Sequence, residues 1–309
     1  MTHTTARYMH FWRSFDVRTS FIHRLMAAVY GEEPTNVTSM KQFVEVEVHS
    51  AMTRESALLA RLRQVSGGRD PVKRNANILR QSYGVGDKGP ARHHVWYTGE
   101  NLRPPDGWSA TLSFDLDDFG GTNYYLPHWV FRLGGILGYD PCEVFQVTGE
   151  DLTETRQLFD VPPRFACVLA GNPHPMRNIM GHALEKIGRV DYFGAAYGRP
   201  IRDKRSLMNE YRFMICPEND LYPGYVTEKA MEAWLSGAVP IWWGDDPAGY
   251  LNPRALVNLH GNRVCDIVDQ VAYLDSDVTA FRSAFEQPFL ARRYELSGCI
   301  EFLKGRLVQ

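Results

Sequence analysis

Residues 217–245 read PENDLYPGYVTEKAMEAWLSGAVPIWWGD: a polar loop, a stretch with helical spacing, then an apolar run. Thr227 is placed to cap a helix, with Glu228 and Lys229 in its first turn, because a threonine hydroxyl can accept from the free N–H groups that open a helix. Ala230, Met231, Trp234 and Leu235 then fall on one face. Gly237 ends the helix, Pro240 lies just beyond it, and AVPIWWG reads as a buried strand. A helix start offers free N–H groups and a partial positive charge, which suits an anion, and Lys229 adds a full charge. A Glu228 carboxylate can accept two hydrogen bonds from a sugar's vicinal hydroxyls. Tyr222 and Tyr225 offer aromatic faces. Phosphates, a ribose and a ring together describe a nucleotide-sugar. Glu followed by Lys also opens many helices as a solvated cap, and a helix dipole supplies only ~0.3–1 kcal/mol. The stretch on its own leaves both readings open.

The surroundings place this stretch in an α/β chain. FACVLAG (165–171), RVDYFGA (189–195) and YRFMIC (211–216) read as buried strands, with a helix at MRNIMGHALEKI (176–187) between the first two. NPHP (172–175) is a loop, since a residue before proline is pushed out of helical dihedrals. In the first half, YMHFWR (8–13), FVEVEVHS (43–50), HHVWYTG (93–99) and TLSFDLDDF (111–119) read as strands. A helix follows the first of them, on Phe21, Leu25 and Val29. SGGRD (66–70) is a turn, and NLRPPDG (101–107) a loop. Strands alternating with helices predict parallel sheets with helices on both faces. Polar residues 150–164 read as a linker. They divide the chain into two lobes, 1–155 and 156–309. Two Rossmann-like lobes would leave a cleft, and ligands of such sheets lie beyond the carboxyl ends of the strands.

Composition narrows the function classes. With 309 residues, 44% apolar and 23% charged, the chain is globular. A formal net charge of −2 gives no bulk attraction to nucleic acid, and no basic-aromatic patch appears. No run reaches the roughly 18 apolar residues of a membrane helix. The opening MTHTTARYMHFWRSFD lacks the basic and apolar regions of a signal peptide. Five scattered cysteines without C-x-x-C read as reduced thiols. The sequon at Asn36 would matter only after secretion. These features predict a cytoplasmic enzyme without a stable membrane anchor.

The stretch resembles the donor-site signature of the α-1,3/4-fucosyltransferases, glycosyltransferase family 10. Pro217-Glu218-Asn219, Tyr225-Val226-Thr227-Glu228-Lys229 and Ala238-Val239-Pro240-Ile241-Trp242-Trp243-Gly244 follow the family pattern in order. Asn252-Pro253-Arg254 and Val257-Asn258-Leu259-His260 continue it. Pro217 departs from it, standing where bacterial relatives usually have Phe, which we read as a packing change. Ala170-Gly171-Asn172-Pro173 with Met176-Arg177-Asn178 resembles the family's S-N-P and I-R-N, and Tyr97-Thr98-Gly99-Glu100-Asn101 its T-G-E-N. The resemblance is close over 165–260, moderate over 93–127 and weak elsewhere.

The resemblance implies a bacterial GT-B enzyme that transfers L-fucose with inversion from GDP-β-L-fucose to an N-acetyllactosamine-type glycan. It implies Glu100 as catalytic base and Arg177 on the donor pyrophosphate, where a guanidinium fork suits phosphate oxygens. Glu218, Asn219, Tyr225, Glu228 and Lys229 are the further donor-binding candidates, with Glu228 on the ribose. Asp115, in the acceptor lobe, would orient the acceptor or the base. Asp115-Leu116-Asp117 is a D-x-D, the motif by which other glycosyltransferases hold Mn²⁺, but the family carries similar acidic residues here without that role. His128 and His174 stand singly, so no metal site and no required cofactor are assigned. The resemblance makes 1–155 the acceptor-binding lobe and 156–309 the donor-binding lobe, with the last expected helix, at 294–307, crossing back onto the first lobe as in GT-B proteins. Some bacterial relatives add heptad repeats and a basic amphipathic tail, while this sequence reaches GRLVQ soon after that helix. Rival readings are a relative using another GDP-sugar, and a glycan-binding relative without catalysis. The joint presence of Glu100, Arg177 and Lys229 speaks against the latter.

Overall fold

The computed structural model describes residues 6–10, 21–30, 44–51, 93–104, 106–130, 150–201 and 204–308. The chain divides into two compact units, residues 1–146 with 295–309, and residues 147–294. The turn expected at 66–70 lies outside the described residues.

The first unit carries a five-stranded sheet in the order β1-β2-β3-β4-β5. The strands are Ala6–His10, Val44–Ala51, His93–Thr98, Ala110–Ser113 and Asn123–Tyr125, each parallel to its neighbour. Helix α1 spans Phe21–Tyr30 and buries Leu25, Met26 and Val29, as its spacing predicts. The fourth strand stops earlier than expected. After Ser113 the carboxylates of Asp117 and Asp118 accept the N–H groups of Phe119 and Gly120, at 2.8 and 3.0 Å, and turn the chain back. Phe119 sits there at φ 47°, a left-handed backbone uncommon outside glycine. β5, only three residues long, carries too little pattern to be seen in sequence.

The second unit holds β6 (Arg164–Leu169), β7 (Val190–Phe193), β8 (Tyr211–Ile215), β9 (Val239–Trp242) and β10 (Val257–Asn258). All of its pairings are parallel, in the order β10-β9-β8-β6-β7. Six helices accompany them among the described residues of this unit: α2 (Glu150–Thr153), α3 (Pro175–Leu184), α4 (Lys204–Met208), α5 (Lys229–Leu235), α6 (Val264–Ser276) and α7 (Val278–Phe285). Asp277 caps α7, its carboxylate accepting from the N–H groups of Thr279 and Ala280. Ile267, Val271 and Leu274 of α6 and Phe281 and Phe285 of α7 turn inward at helical spacing. Phe165, Phe213 and Phe281 meet edge to face with centroids 5.6 Å apart. Each such ring removed from water contributes roughly 1.5–3 kcal/mol. Among the described residues no helix is long and apolar enough to cross a membrane.

The last helix, α8 (Leu296–Leu307), groups with the first unit, onto which it was expected to cross back; there Phe302 packs on Tyr124 at 5.4 Å and Arg306 donates to the Gly121 carbonyl. One boundary expectation is corrected. Residues 150–164 belong to the second unit and are no free linker. Leu152 and Leu158 are buried. The Arg156 guanidinium lies between the Trp234 and Phe285 rings, 4.6 and 3.7 Å from their centroids. It donates to the carbonyls of Trp234, Phe285 and Ala238. Trp234 and Phe285 stand in the last turns of α5 and α7, where carbonyls lack helical partners, so one side chain closes two helices. A lysine cannot make that planar, stacked fork. Arg156→Lys is therefore expected to lower stability by roughly 1–3 kcal/mol, read as a lower urea midpoint at unchanged slope.

Candidate functional site

The strand order locates the site. From β6 the chain moves to β7 on one side of the sheet, whereas β8 leads to β9 and β10 on the other. The connections after β6 and β8 thus leave in opposite directions, and a crevice opens beyond their carboxyl ends. A cavity of about 400 Å³ lies there, lined among others by Gly171 and Arg177 after β6, Gly194 after β7, Cys216 at the end of β8, and Glu228 and Lys229 beyond it.

The polar loop 217–228 is ordered by one buried carboxylate. Glu218 is 0% exposed. One oxygen accepts from the Thr227 N–H at 2.8 Å and the Trp242 indole N–H at 3.2 Å. The other accepts from the Thr227 hydroxyl at 2.6 Å and the Lys229 ammonium at 2.9 Å. The loop also extends the sheet, since the N–H groups of Cys216 and Glu218 donate to carbonyls of Ile241 and Trp243. Lys229 further donates to the Thr227 hydroxyl oxygen at 2.7 Å. Burial pulls the Lys229 ammonium toward neutrality, but Glu218 and then Glu228 outweigh this and hold it above the ordinary lysine range. Arg177 acts the other way, near enough to oppose its charge.

Arg177, 6% exposed, stands in the first turn of α3. Its Nη1 donates to the Asn172 carbonyl at 3.0 Å, while its buried Nε–H has no hydrogen-bond partner among the described residues. A buried donor left unmade is costly, so an acceptor arriving in the cavity gains from meeting it. Burial lowers the Arg177 pKa from its usual value, which still leaves a guanidinium charged at neutral pH. His174 precedes the helix, within 3.3 Å of the Asn219 carbonyl, and its ring packs near Trp243 at 5.9 Å. Burial and the Arg177 charge depress its pKa, so the imidazole is neutral while it joins the β6 and β8 loops.

The opposite wall turns at Gly194, whose φ is +100° and whose place leaves no room for a Cβ against the Ala170 carbonyl. Gly194 and Arg199 exchange backbone hydrogen bonds of 2.7 and 3.1 Å, which set Pro200 and Ile201 on the cavity. Lys204 and Glu232 complete the lining, joined at 3.2 Å.

In the first unit, Glu100 follows β3 and Asp115 follows β4, so their loops leave neighbouring parallel strands at the same end of the sheet. The Thr98 hydroxyl accepts from the Glu100 N–H at 3.0 Å. A side chain at Gly99 would overlap the His128 ring, which fixes the approach of this turn. Arg103 pairs with Asp115 and donates to the Asn101 side chain, so Asp115 reaches the Glu100 loop through a guanidinium. Buried Asn123 donates to the carbonyls of Asp115 and Asp117 and ties the loop down. Among the described residues no three His, Cys, Asp or Glu side chains gather as a metal would need.

Comparison with known proteins agrees with this geometry. Residues 165–289 match the family model described as glycosyltransferase family 10 (fucosyltransferase) C-term. It is this region, rather than the whole chain, that is similar to the family. Across 123 residues the chain is 35% identical to the alpha-(1,3)-fucosyltransferase FucT of Helicobacter pylori, covering 38% of this chain and 26% of that one. It is 30% identical over 214 residues to alpha-(1,3)-fucosyltransferase 4 of Mus musculus, covering 65% and 47%. The chain thus spans about a quarter to about half the length of these curated relatives. A solved alpha1,3-fucosyltransferase is similar over 100% of this chain and 91% of its own, with TM-score 0.68 at 20% identity. A structure of alpha1,3-fucosyltransferase with GDP-fucose matches at TM-score 0.60 and 21% identity, over 94% and 98%. At such identity the likeness shows the fold, which is of the GT-B type.

Within the region that matches the family model, Arg177, Glu228 and Lys229 line one cavity. Three expectations are corrected. Glu218 has no surface for a ligand and spends its acceptor capacity on the protein. Tyr225 is 1% exposed and offers no face to a donor. Thr227 does not cap the helix, which begins at Lys229, because Glu218 takes its hydroxyl. Asn219 is exposed, and what anchors it is its carbonyl. Lys204 and Glu232 were missed; the four-residue step from Glu228 to Glu232 along the helix was the available signal. The buried pair invites a direct test. Lys229→Met strands the Glu218 carboxylate and should cost roughly 3–5 kcal/mol, with part regained in Lys229→Met combined with Glu218→Gln. Since the folded lysine pKa is raised, its contribution is whole below the ordinary lysine value of 10.5 and is lost as pH rises through the higher folded value. Thermal melts of wild type from neutral to alkaline pH should show no loss from this pair until above that value.

Proposed function

We propose that this protein is an inverting fucosyltransferase. It moves L-fucose from GDP-β-L-fucose to a GlcNAc or glucose hydroxyl of an N-acetyllactosamine-type glycan, forming an α-1,3 or α-1,4 linkage. The observation that carries this reading is the convergence of two cations, Arg177 and Lys229, on one cavity at the switch point of the region that matches the family model. Two like charges set this close favour an anion between them, and a nucleoside diphosphate supplies one. Solved relatives named with GDP and with GDP-fucose support the same class of donor.

Inversion needs a base behind the attacking hydroxyl and a stabilised leaving group opposite it. Glu100 takes the acceptor proton. The acceptor oxygen forms its bond to the anomeric carbon of fucose as that carbon's bond to the β-phosphate oxygen breaks. The bonding electrons leave with GDP, whose new charge falls to the Arg177 guanidinium and the Lys229 ammonium. Glu228 holds the ribose hydroxyls. These side-chain charges do the work for which other transferases recruit a divalent metal, and no metal is required in this reading.

Transfer from a panel of GDP- and UDP-sugars to N-acetyllactosamine and lactose, with EDTA present, tests the reading. We expect product from GDP-fucose and undiminished rates in EDTA. Glu100→Gln should lose roughly 10²–10⁴-fold in kcat while GDP binding persists. Arg177→Ala should weaken GDP binding as well as turnover. Product from a different GDP-sugar would retain the site and change the donor. Binding of GDP with no transfer from any sugar would leave a glycan-binding relative.

A further inference from the structure

We propose that Glu232 and Lys204 read the base of the nucleotide, and that their chemistry selects guanine. This rests on the reading of the cavity as a nucleotide-sugar donor site. Arg177 and Lys229 line one part of that cavity, and Glu232 and Lys204 line it as well. Glu228 and Glu232 are one helical turn apart, joined by the hydrogen bond from the Glu232 N–H to the Glu228 carbonyl at 2.7 Å. The step between them is roughly 6 Å along the axis. In this proposal a nucleoside with its ribose at Glu228 carries its base toward Glu232, along the cavity that both residues line. Ala195, Pro200 and Ile201 line the same cavity and give the base apolar surface.

The polar pair fits one base edge. The Glu232 side chain is 17% exposed, and one of its oxygens accepts from Lys204 at 3.2 Å. Its other oxygen has no hydrogen-bond partner among the described residues. Lys204, with 58% of its side chain exposed, would gain little from that ion pair alone. A carboxylate only accepts and an ammonium only donates. Guanine presents an acceptor at O6 beside donors at N1 and at the 2-amino group. Lys204 can donate to O6 while Glu232 accepts from N1–H and the amino group. Adenine would set its N1 lone pair against the carboxylate, and uracil flanks its single N–H with two carbonyl oxygens. Both are rejected by repulsion as well as by lost hydrogen bonds.

Calorimetric titration of the whole chain with GDP, IDP and XDP tests this. IDP lacks only the 2-amino group, and XDP replaces it with a carbonyl. Wild type should prefer GDP to IDP by roughly tenfold or more, because a site built to accept an N–H penalises the analogue without it. Glu232→Ala should remove that preference. Lys204→Met should weaken GDP and IDP alike, as both keep O6. Glu232→Gln, whose amide accepts from N1–H and donates to a 2-carbonyl, should gain affinity for XDP, a gain that no folding defect produces. If both Glu232 variants keep the wild-type preference for GDP, the base assignment falls and the donor site stands. If Glu232→Ala weakens GDP and IDP equally, the residue acts on the fold and the assignment again falls. If wild type binds no nucleoside diphosphate, the donor-site reading falls with it.

Discussion

A carboxylate with no exposed surface organises the second unit. Removing an ion from water costs several kcal/mol unless its lone pairs are met inside. Glu218 meets that demand with four donors drawn from three places: the loop after β8, the strand β9, and the first residue of α5. The requirement works in both directions. The carboxylate is tolerable only when Thr227, Trp242 and Lys229 are all in position, and Lys229 keeps its charge while largely buried only because the carboxylate is there. Part of the polar loop thus stands ahead of a buried strand because Glu218, Thr227 and Lys229 answer one another and the strand's Trp242 rather than solvent. Lys229 is the member of the set whose charge also faces the cavity.

This arrangement shapes the cavity's electrostatics. Lys229 has a fixed counter-ion in Glu218, whereas Arg177 has a carbonyl and an N–H unmet among the described residues. The positive charge at the switch point is therefore only partly neutralised by the protein, and the shortfall is largest at Arg177. The first unit shows a related economy in its loops. Asp117 and Asp118 accept backbone N–H groups and Asp115 pairs with Arg103, so this acidic run turns the chain after β4.

Much of this was legible, and the pattern of misses has physical causes. Apolar runs exposed the buried strands of the second sheet, and regular spacing the faces of α1 and α5. Motif resemblance found Arg177, Glu228 and Lys229. What sequence could not convey is the direction in which a polar side chain points. Glu218 and Tyr225 were read as reaching outward because polar and aromatic residues in a loop usually do, yet both turn into the protein. Thr227 was assigned to the helix because a cap is the commonest use of threonine there, while a carboxylate nine residues back competed for the hydroxyl and won. β5 and β10, at three and two residues, are defined by their neighbours rather than by their own pattern. Residues 150–164 looked like a linker since polarity was taken for solvation, whereas Arg156 spends its charge on carbonyls and rings.

In the proposed reaction, the size of α5 bears on how leaving-group charge would be stabilised. A helix of seven residues starting at Lys229 has little macrodipole, and dipole effects rarely exceed ~1 kcal/mol even in longer helices. The anion-binding strength first credited to the helix start must therefore come from full charges held in place. A guanidinium and an ammonium fixed beforehand need no reorganisation as negative charge develops, which is the condition under which electrostatic stabilisation accelerates a reaction. The short helix contributes geometry instead. It carries Lys229 at its first position and Glu232 one turn on, so a single rigid element sets the spacing between the place where charge is stabilised and the place where a base can be read.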